Sequence, residues 1–336
     1  MGESNWNHQG FIGLTRGFWT LCAVQAGVEL GLFTALDEGP GLRLPDLAAR
    51  IGCDARATGM LATALVSLGL LTRDGQNIGL TDEARRLLSE KSGEYYGAML
   101  AHQSHIMIPW VRLAEAVKTG NRVAQTSAVE TADDGAREAF LMAMFNNARY
   151  QAGAVAEALD LAGRETLLDL GGGPGTYAAE FCLRHPNLSA TVFDLPGSGP
   201  VAKKVLARLG VSDRVSFVAG DFNRDPLPGP FDVVFVSQVI HQEGPRNVEA
   251  LVAKAAGVTA PGGFVAIQEF FLDDDLTGPP SAGLFALNML VNTPAGQAYA
   301  YSEVKAMMGR AGLKNVGVLP AKLPLGCAIM VGTKPL

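Results

Sequence analysis

Cysteine is scarce in this 336-residue chain: only four are present, Cys22, Cys53, Cys182 and Cys327. None of them forms a CxxC pair, which excludes a disulfide framework and a zinc ribbon; free, mostly buried thiols in a reducing cytoplasm are expected. No cluster of residues has metal-ligand spacing, so no metal is expected. A basic surplus is also missing. Lys and Arg number 27 against 33 Asp and Glu, a formal net charge of −6. Nucleic acid needs a basic face, so it is not expected as a partner. There is no long apolar run. The richest early stretch, Phe18 to Leu36, is interrupted by Gln25 and Glu29, and Met1 to Gly10 is polar with Glu3. Neither a membrane span nor a signal peptide is expected from such segments. Repeats and low-complexity tracts are absent. What is plentiful is apolar residue, 48% of the chain, and glycine, 40 in all. That supports roughly two domains with a sizeable core.

The glycines are most concentrated in Leu167 to Thr176, Leu-Leu-Asp-Leu-Gly-Gly-Gly-Pro-Gly-Thr. An apolar run ends in Asp169, glycines stand at 171, 172, 173 and 175, and a helix-like stretch from Tyr177 to His185 follows. This is a strand, a loop stripped of side chains, and a helix. Such a loop lets a ligand meet backbone N–H groups at a helix N-terminus. The dinucleotide fingerprint would put its third glycine at 176, where this chain has Thr, so a dehydrogenase is disfavoured. An acid just before the loop suits a cationic ligand such as an amino acid's ammonium group. The loop resembles the S-adenosylmethionine loop of Rossmann-like methyltransferases.

Residues 11 to 90 read as short helices. Val24, Val28, Leu32 and Leu36 recur at helical spacing, Leu44 to Ile51 is a second helix, and Asp54 caps a third. Leu70 to Thr81, with Asp74-Gly75 at its centre, reads as a hairpin. Three helices and a hairpin make a winged-helix arrangement over residues 1–93. Its third helix offers Arg56 as its only basic side chain, which is too little for reading DNA. Its apolar surplus points instead to burial against a second copy of the chain through residues 1–100. Residues 94–162 read as a helical linker that contributes to an acceptor pocket. From 163 to 336 strands and helices alternate, which implies a mostly parallel sheet in an α/β domain, with an antiparallel last strand. Strands are expected at 166–171, 189–194, 215–219, 231–237, 263–270 and 326–332, and helices at 176–185, 198–210, 245–258 and 301–311.

Ligands of open α/β sheets bind at the carboxyl ends of the strands. Strand one ends at Asp169 and the loop with Gly171, Gly173 and Gly175; strand two ends at Asp194-Leu195; strand three ends at Gly220-Asp221-Phe222. Asp194 suits a pair of ribose hydroxyls, Asp221 an adenine amino group, and Phe222 the face of the ring. Strand four leads through Ser237 and Gln238 to His241. Histidine is the side chain best poised to take a proton from a hydroxyl near neutral pH. Strand five ends at Glu269, an acid able to orient that imidazole. Candidates for the acceptor pocket are His102, His105, Met107, Trp110, Met142, Phe145, Asn146, Asn288, Met289 and Asn292. The asparagines are the most telling of these, because polar side chains on apolar helices need partners.

Winged helix, helical linker, Asp-Leu-Gly-Gly-Gly-x-Gly, Asp194, Gly-Asp-Phe and a histidine past strand four together resemble the O-methyltransferases that include plant caffeate and flavonoid enzymes and bacterial polyketide and carotenoid ones. The resemblance covers residues 15 to 333. It implies a Rossmann-like class I methyltransferase domain behind a winged-helix dimerisation domain, with S-adenosylmethionine as cofactor and S-adenosylhomocysteine as product. It assigns cofactor contacts to Asp194, Asp221 and Phe222, the base to His241, and the first of two flanking acids to Glu269. The chain departs from the pattern in reading Gln242-Glu243 after the base, Ser237 where plant members have Lys, and Ala298 where the second acid falls. Two alternatives stay open: methyl transfer to sulfur, nitrogen or carbon of a small molecule, and a non-catalytic regulator derived from the fold.

Overall fold

The computed structural model describes residues 7–124 and 133–336. Residues 1–6 of the polar leader and 125–132 of the expected linker lie outside the described residues. The chain divides into two compact units, Met1–His105 and Ile106–Leu336.

The first unit opens with α1 (His8–Glu29) and α2 (Leu32–Leu36). Helical spacing alone ran these together. Gly31, at φ +65°, sits between them and turns the chain. Then come β1 (Leu42–Arg43), α3 (Leu44–Arg50), α4 (Ala55–Ser67), β2 (Leu71–Asp74), β3 (Asn77–Leu80) and α5 (Asp82–Leu88). Asp54 caps α4 by accepting from the Ala57 N–H at 2.8 Å. β2 and β3 pair antiparallel around Gly75 and Gln76, and β1 adds a third strand to the wing, in the order β1-β3-β2. Leu32, Phe33, Leu36, Leu47, Leu65 and Ile78 form the core of this unit. On α1, by contrast, Phe11, Leu14, Phe18 and Trp19 are exposed. α6 (Gly97–Trp110) runs across the boundary between the units.

The second unit continues with α7 (Leu113–Thr119) and α8 (Asp134–Ala158). The alternating part follows: β4 (Thr166–Leu170), α9 (Thr176–Arg184), β5 (Ser189–Asp194), α10 (Gly199–Leu209), β6 (Val215–Ala219), β7 (Phe231–Ser237), α11 (Pro245–Gly257), β8 (Thr259–Glu269), α12 (Pro280–Asn292), α13 (Tyr301–Arg310), β9 (Lys314–Val318) and β10 (Ala328–Thr333). Seven strands form one sheet in the order β6-β5-β4-β7-β8-β10-β9. The first five are parallel, while β10 is antiparallel to both β8 and β9. One face is buried under α8 and α9 through Val155, Phe181, Val192 and Phe235. The other is buried under α11 and α13 through Leu168, Val234, Val252 and Met308. Strand order reverses at β4, so the carboxyl ends of β4, β5 and β7 frame the crevice where open sheets bind ligands.

Candidate active site

The loop after β4 is built around Asp169, whose side chain is fully buried. Its Oδ2 accepts from the Ala178 N–H at 3.3 Å in the first turn of α9, and its Oδ1 has no partner among the described residues. Burial pushes the carboxyl up to about 7. A buried carboxylate oxygen with no donor is costly and calls for a cation or a strong donor beside it. The loop leaves the space for one: a Cβ on Gly172 would lie 2.5 Å from the Asp169 carboxyl carbon. Only glycine lets the backbone pass so near the acid. Gly171, Gly173 and Gly175 all have positive φ, which turns the loop into the N-terminus of α9. Thr176 Oγ1, beside them, is also buried without a partner among the described residues.

Asp194, at the end of β5, faces the same loop. Its Oδ2 accepts from Gly173 N–H at 2.8 Å, and its Oδ1 accepts from Leu195 N–H and Ser198 Oγ at 2.7 Å. Burial raises its carboxyl above the ordinary range, against the pull of those hydrogen bonds. Oδ2 keeps a further lone pair for a hydroxyl donor, and Oδ1 is taken up by its two donors. Gly220 packs against the Phe193 ring, and its N–H donates to Asp194 O at 2.9 Å. Asp221 closes its own turn, accepting from Asn223 N–H at 2.9 Å, and Phe222 leans on the core beneath α11.

β7 ends in a buried polar junction. Ser237 Oγ donates to Gln268 Oε1 at 3.1 Å; Gln268 Nε2 donates to Gln151 Oε1 at 3.1 Å and Tyr177 Oη at 3.3 Å. The Gln268 carbonyl accepts from Gln238 N–H at 2.9 Å. Gln238 is left-handed, at φ +54°. This turn carries the chain to His241, whose Nδ1 lies 3.0 and 2.9 Å from the two oxygens of Glu269. The His241 side chain is 10% exposed and that of Glu269 0%, so the pair is largely shielded from water. A carboxylate accepts, so Nδ1 is the nitrogen that donates to Glu269, and Nε2 is the ring nitrogen that faces away from it. Glu269 Oε1 also accepts from Phe270 N–H at 2.9 Å, fixing its rotamer. The Phe285 ring on α12 meets the imidazole edge-on, with centroids 4.7 Å apart. Glu243, two residues after His241 where the family has another residue, accepts from Asn223 Nδ2 at 2.6 Å and Asn247 Nδ2 at 2.7 Å. It ties the Asp221 turn to the His241 turn. Ala298 is buried, and Gln297 N–H holds the His241 carbonyl at 2.9 Å.

Among the acceptor candidates, Trp110, Asn288 and Asn292 come together. Trp110 Nε1 donates to Asn288 Oδ1 at 2.8 Å, and Asn292 Nδ2 donates to the same oxygen at 3.0 Å. Met289 is buried on the same helix. Phe145 and Met142 pack instead in a small cluster with Leu141, Val201 and Val205. Asn146, on α8 with them, is partly buried. Met107 is partly buried on α6. His102 and His105 lie in the first unit, His105 exposed and His102 with its pKa lowered by burial and by the nearby His105. Sequence reasoning missed Phe285, Gln268, Gln151 and Tyr177. Gln268 had a signal, a long polar side chain inside the apolar run Val265-Ala266-Ile267. Phe285 had none, because only the tertiary fold brings α12 to His241.

A mostly parallel sheet in this order, with one reversed strand, β10, next to its edge and a glycine loop after its first strand, defines a Rossmann-like methyltransferase. A family model for the O-methyltransferase domain matches residues 110–314, and one for the O-methyltransferase dimerisation domain matches residues 12–90. The chain belongs to this O-methyltransferase family. It is 33% identical to a 3-hydroxy-5-methyl-1-naphthoate 3-O-methyltransferase of Streptomyces sahachiroi, over 96% of this chain and 94% of that protein. It is 35% identical to a tetracenomycin polyketide synthesis 8-O-methyltransferase of Streptomyces glaucescens, over 96% and 95%. The structure of human N-acetylserotonin methyltransferase in complex with S-adenosylmethionine matches with a TM-score of 0.87 at 27% identity, over 100% of both chains. The protein is an S-adenosylmethionine-dependent methyltransferase.

Proposed function

We propose that the chain methylates a hydroxyl oxygen of a small aromatic acceptor, with His241 as general base. The observation that carries this is the buried His241–Glu269 pair, which leaves Nε2 as the imidazole's proton-accepting atom. Sulfur in a thioether has no proton to lose, and such a base would be idle there. The names of the two Streptomyces relatives, both O-methyltransferases, support the same atom.

S-adenosylmethionine supplies an activated methyl group when bound, so the protein's main tasks are alignment and proton removal. Asp169 meets the ligand's ammonium group, and its orphaned Oδ1 fits that role. Asp194 takes the ribose hydroxyls, Asp221 the adenine amino group, and Phe222 the ring face. Gly171, Gly173, Gly175, Leu195, Gly220, Ser237 and Gln238 complete the lining. His241 Nε2 removes the hydroxyl proton, and Glu269 stabilises the imidazolium that results. Holding the oxygen in line is worth about 7–11 kcal/mol, and a positioned base about 10²–10⁴-fold. Residues 94–162 supply part of the acceptor pocket, and residues 1–93 are the dimerisation domain. The exposed apolar side chains of α1 support a homodimer built through residues 1–100. No helix among the described residues is long and apolar enough to cross a membrane; the free cysteines fit the cytoplasm.

The test is turnover with methyl-labelled S-adenosylmethionine against simple phenols, anilines and thiols. A methyl ether is the expected product. Methylation of nitrogen or sulfur alone would overturn the assignment.

A further inference from the structure

The station formed by Trp110, Asn288 and Asn292 has a fixed polarity. An indole N–H can only donate, so the group that Asn288 turns towards Trp110 must be its carbonyl oxygen, at 2.8 Å. The second lone pair of that oxygen is taken by Asn292 Nδ2 at 3.0 Å. Asn292 Nδ2 also donates to the Asn288 backbone carbonyl at 2.9 Å, so Asn292 cannot flip without losing both bonds. The Asn288 carboxamide is therefore saturated on its accepting side. Its Nδ2 carries two hydrogens and has no hydrogen-bond partner among the described residues, and the atom is not sealed in the core.

Phe285, Asn288 and Asn292 stand at i, i+3 and i+7, which places them on one face of α12. That face meets the base, because the Phe285 ring lies against His241 and against Phe270, with centroids 4.4 Å apart. Three helical residues advance about 4.5 Å, close to the span of one aromatic ring. A flat acceptor with its hydroxyl at His241 would lie along Phe285 and bring its far side to Asn288. We infer that Asn288 is a specificity-determining residue and that the preferred acceptor is a phenol carrying a carbonyl oxygen about one ring away from the hydroxyl to be methylated. The inference rests on the O-methyl-transfer reading above. Asn288 Nδ2 donates to that carbonyl, and Trp110 and Asn292 hold the amide in the orientation that donates. A ring with an alkyl group in place of the carbonyl leaves the donor unpaired in a desolvated pocket. Such a mismatch is discriminated against more strongly than a missing methyl group.

The probes are two nearly isosteric pairs: 3-hydroxyacetophenone with 3-ethylphenol, and 4-hydroxyacetophenone with 4-ethylphenol. Binding to the protein saturated with S-adenosylhomocysteine is measured by calorimetry, and kcat/KM is measured with S-adenosylmethionine. The wild type is expected to favour the ketone of at least one pair by about 3- to 10-fold. Asn288→Asp keeps the acceptor for Trp110 but replaces the donor with a carboxylate oxygen. Asn288→Leu keeps the size. Both are expected to abolish or reverse the ketone preference while S-adenosylhomocysteine affinity stays at the wild-type value. Equal binding of both members of each pair by the wild type overturns the inference and leaves phenol methylation standing, as does a preference that survives both substitutions. If no phenol of either pair binds or is methylated while S-adenosylhomocysteine still binds, the O-methylation reading fails and the inference falls with it.

Discussion

The imidazole of His241 presents Nδ1 to both oxygens of Glu269, at 3.0 and 2.9 Å, inside a site largely shielded from water. One carboxylate thus does the orienting for which the family pattern provides two, since the second position is the buried Ala298. The consequences can be measured separately.

His241→Ala removes the only imidazole in this pair. Turnover of a hydroxyl acceptor is expected to fall about 10²–10⁴-fold, with S-adenosylhomocysteine affinity near wild type. Glu269→Gln keeps a hydrogen-bonding partner but removes the charge that stabilises the imidazolium, so a smaller loss is expected. Steady-state kinetics and calorimetry read the two effects. A loss below threefold for His241→Ala would remove it as the base.

Asp194→Ala removes two things at once, the proposed ribose partner and the acceptor for Gly173 N–H and Ser198 Oγ. S-adenosylhomocysteine binding is expected to weaken by about 1.5–3 kcal/mol. Calorimetry with Asp194→Asn alongside separates lost charge from lost loop support. Unchanged affinity in both variants would show that the ribose lies elsewhere.

Asp169 sets a pH dependence. Its carboxyl is raised to about 7 in the folded protein from an unfolded value of 3.8. Between those values the folded chain binds more protons than the unfolded one, so this group's contribution is present at low pH and is lost as pH rises towards 7. Ligand-free thermal melts are expected to show that fall, and Asp169→Asn is expected to flatten it. Binding of a ligand ammonium group favours the ionised acid, so S-adenosylhomocysteine affinity should rise with pH through about 7 and then level. An affinity independent of pH across this range in the wild type would contradict the pairing.

Gln268 joins β7, β8, α8 and α9 through one side chain. Gln268→Met keeps its bulk and removes three hydrogen bonds, those of Ser237, Gln151 and Tyr177. Thermal stability should fall, and kcat should fall more than KM for the methyl donor rises, because the Gln238 turn that delivers His241 loosens. A stable variant with wild-type kcat would reduce Gln268 to core filling.

The homodimer is checked by light scattering, expected to read about twice the 35.3 kDa of one chain. A monomer at micromolar concentration would contradict the assignment of residues 1–100.

Much of the second unit was legible because its central strands are buried on both faces. Apolar runs such as Phe231–Ser237 ending in Gly, Asp or Ser need no partner to be recognised. The six expected strands all appear, within a few residues at their ends. β9 was not anticipated: most of its residues are exposed, so neither alternation nor an apolar run marks it. β1 is only two residues long and exists by pairing with Asn77 and Ile78. Asp169, Asp194 and Glu269 were readable as acids at strand ends, and His241 as a histidine just past one. The junction at Gln268 and the approach of Phe285 were not, because both join residues far apart in sequence across the sheet.

β9 closes the sheet with an open edge, where unpaired N–H and C=O groups invite a strand from another molecule. Several features spoil that template. Lys314 places a charge there, Asn315 is left-handed at φ +52°, and the pairing with β10 slips between Val331 and Thr333. A chain with a 48% apolar composition thus ends its main sheet on a strand ill-suited to fibrillar stacking. Straightening this edge, by Asn315→Val with Lys314→Thr, would leave the site untouched and turn the border of the sheet into a seed for aggregation.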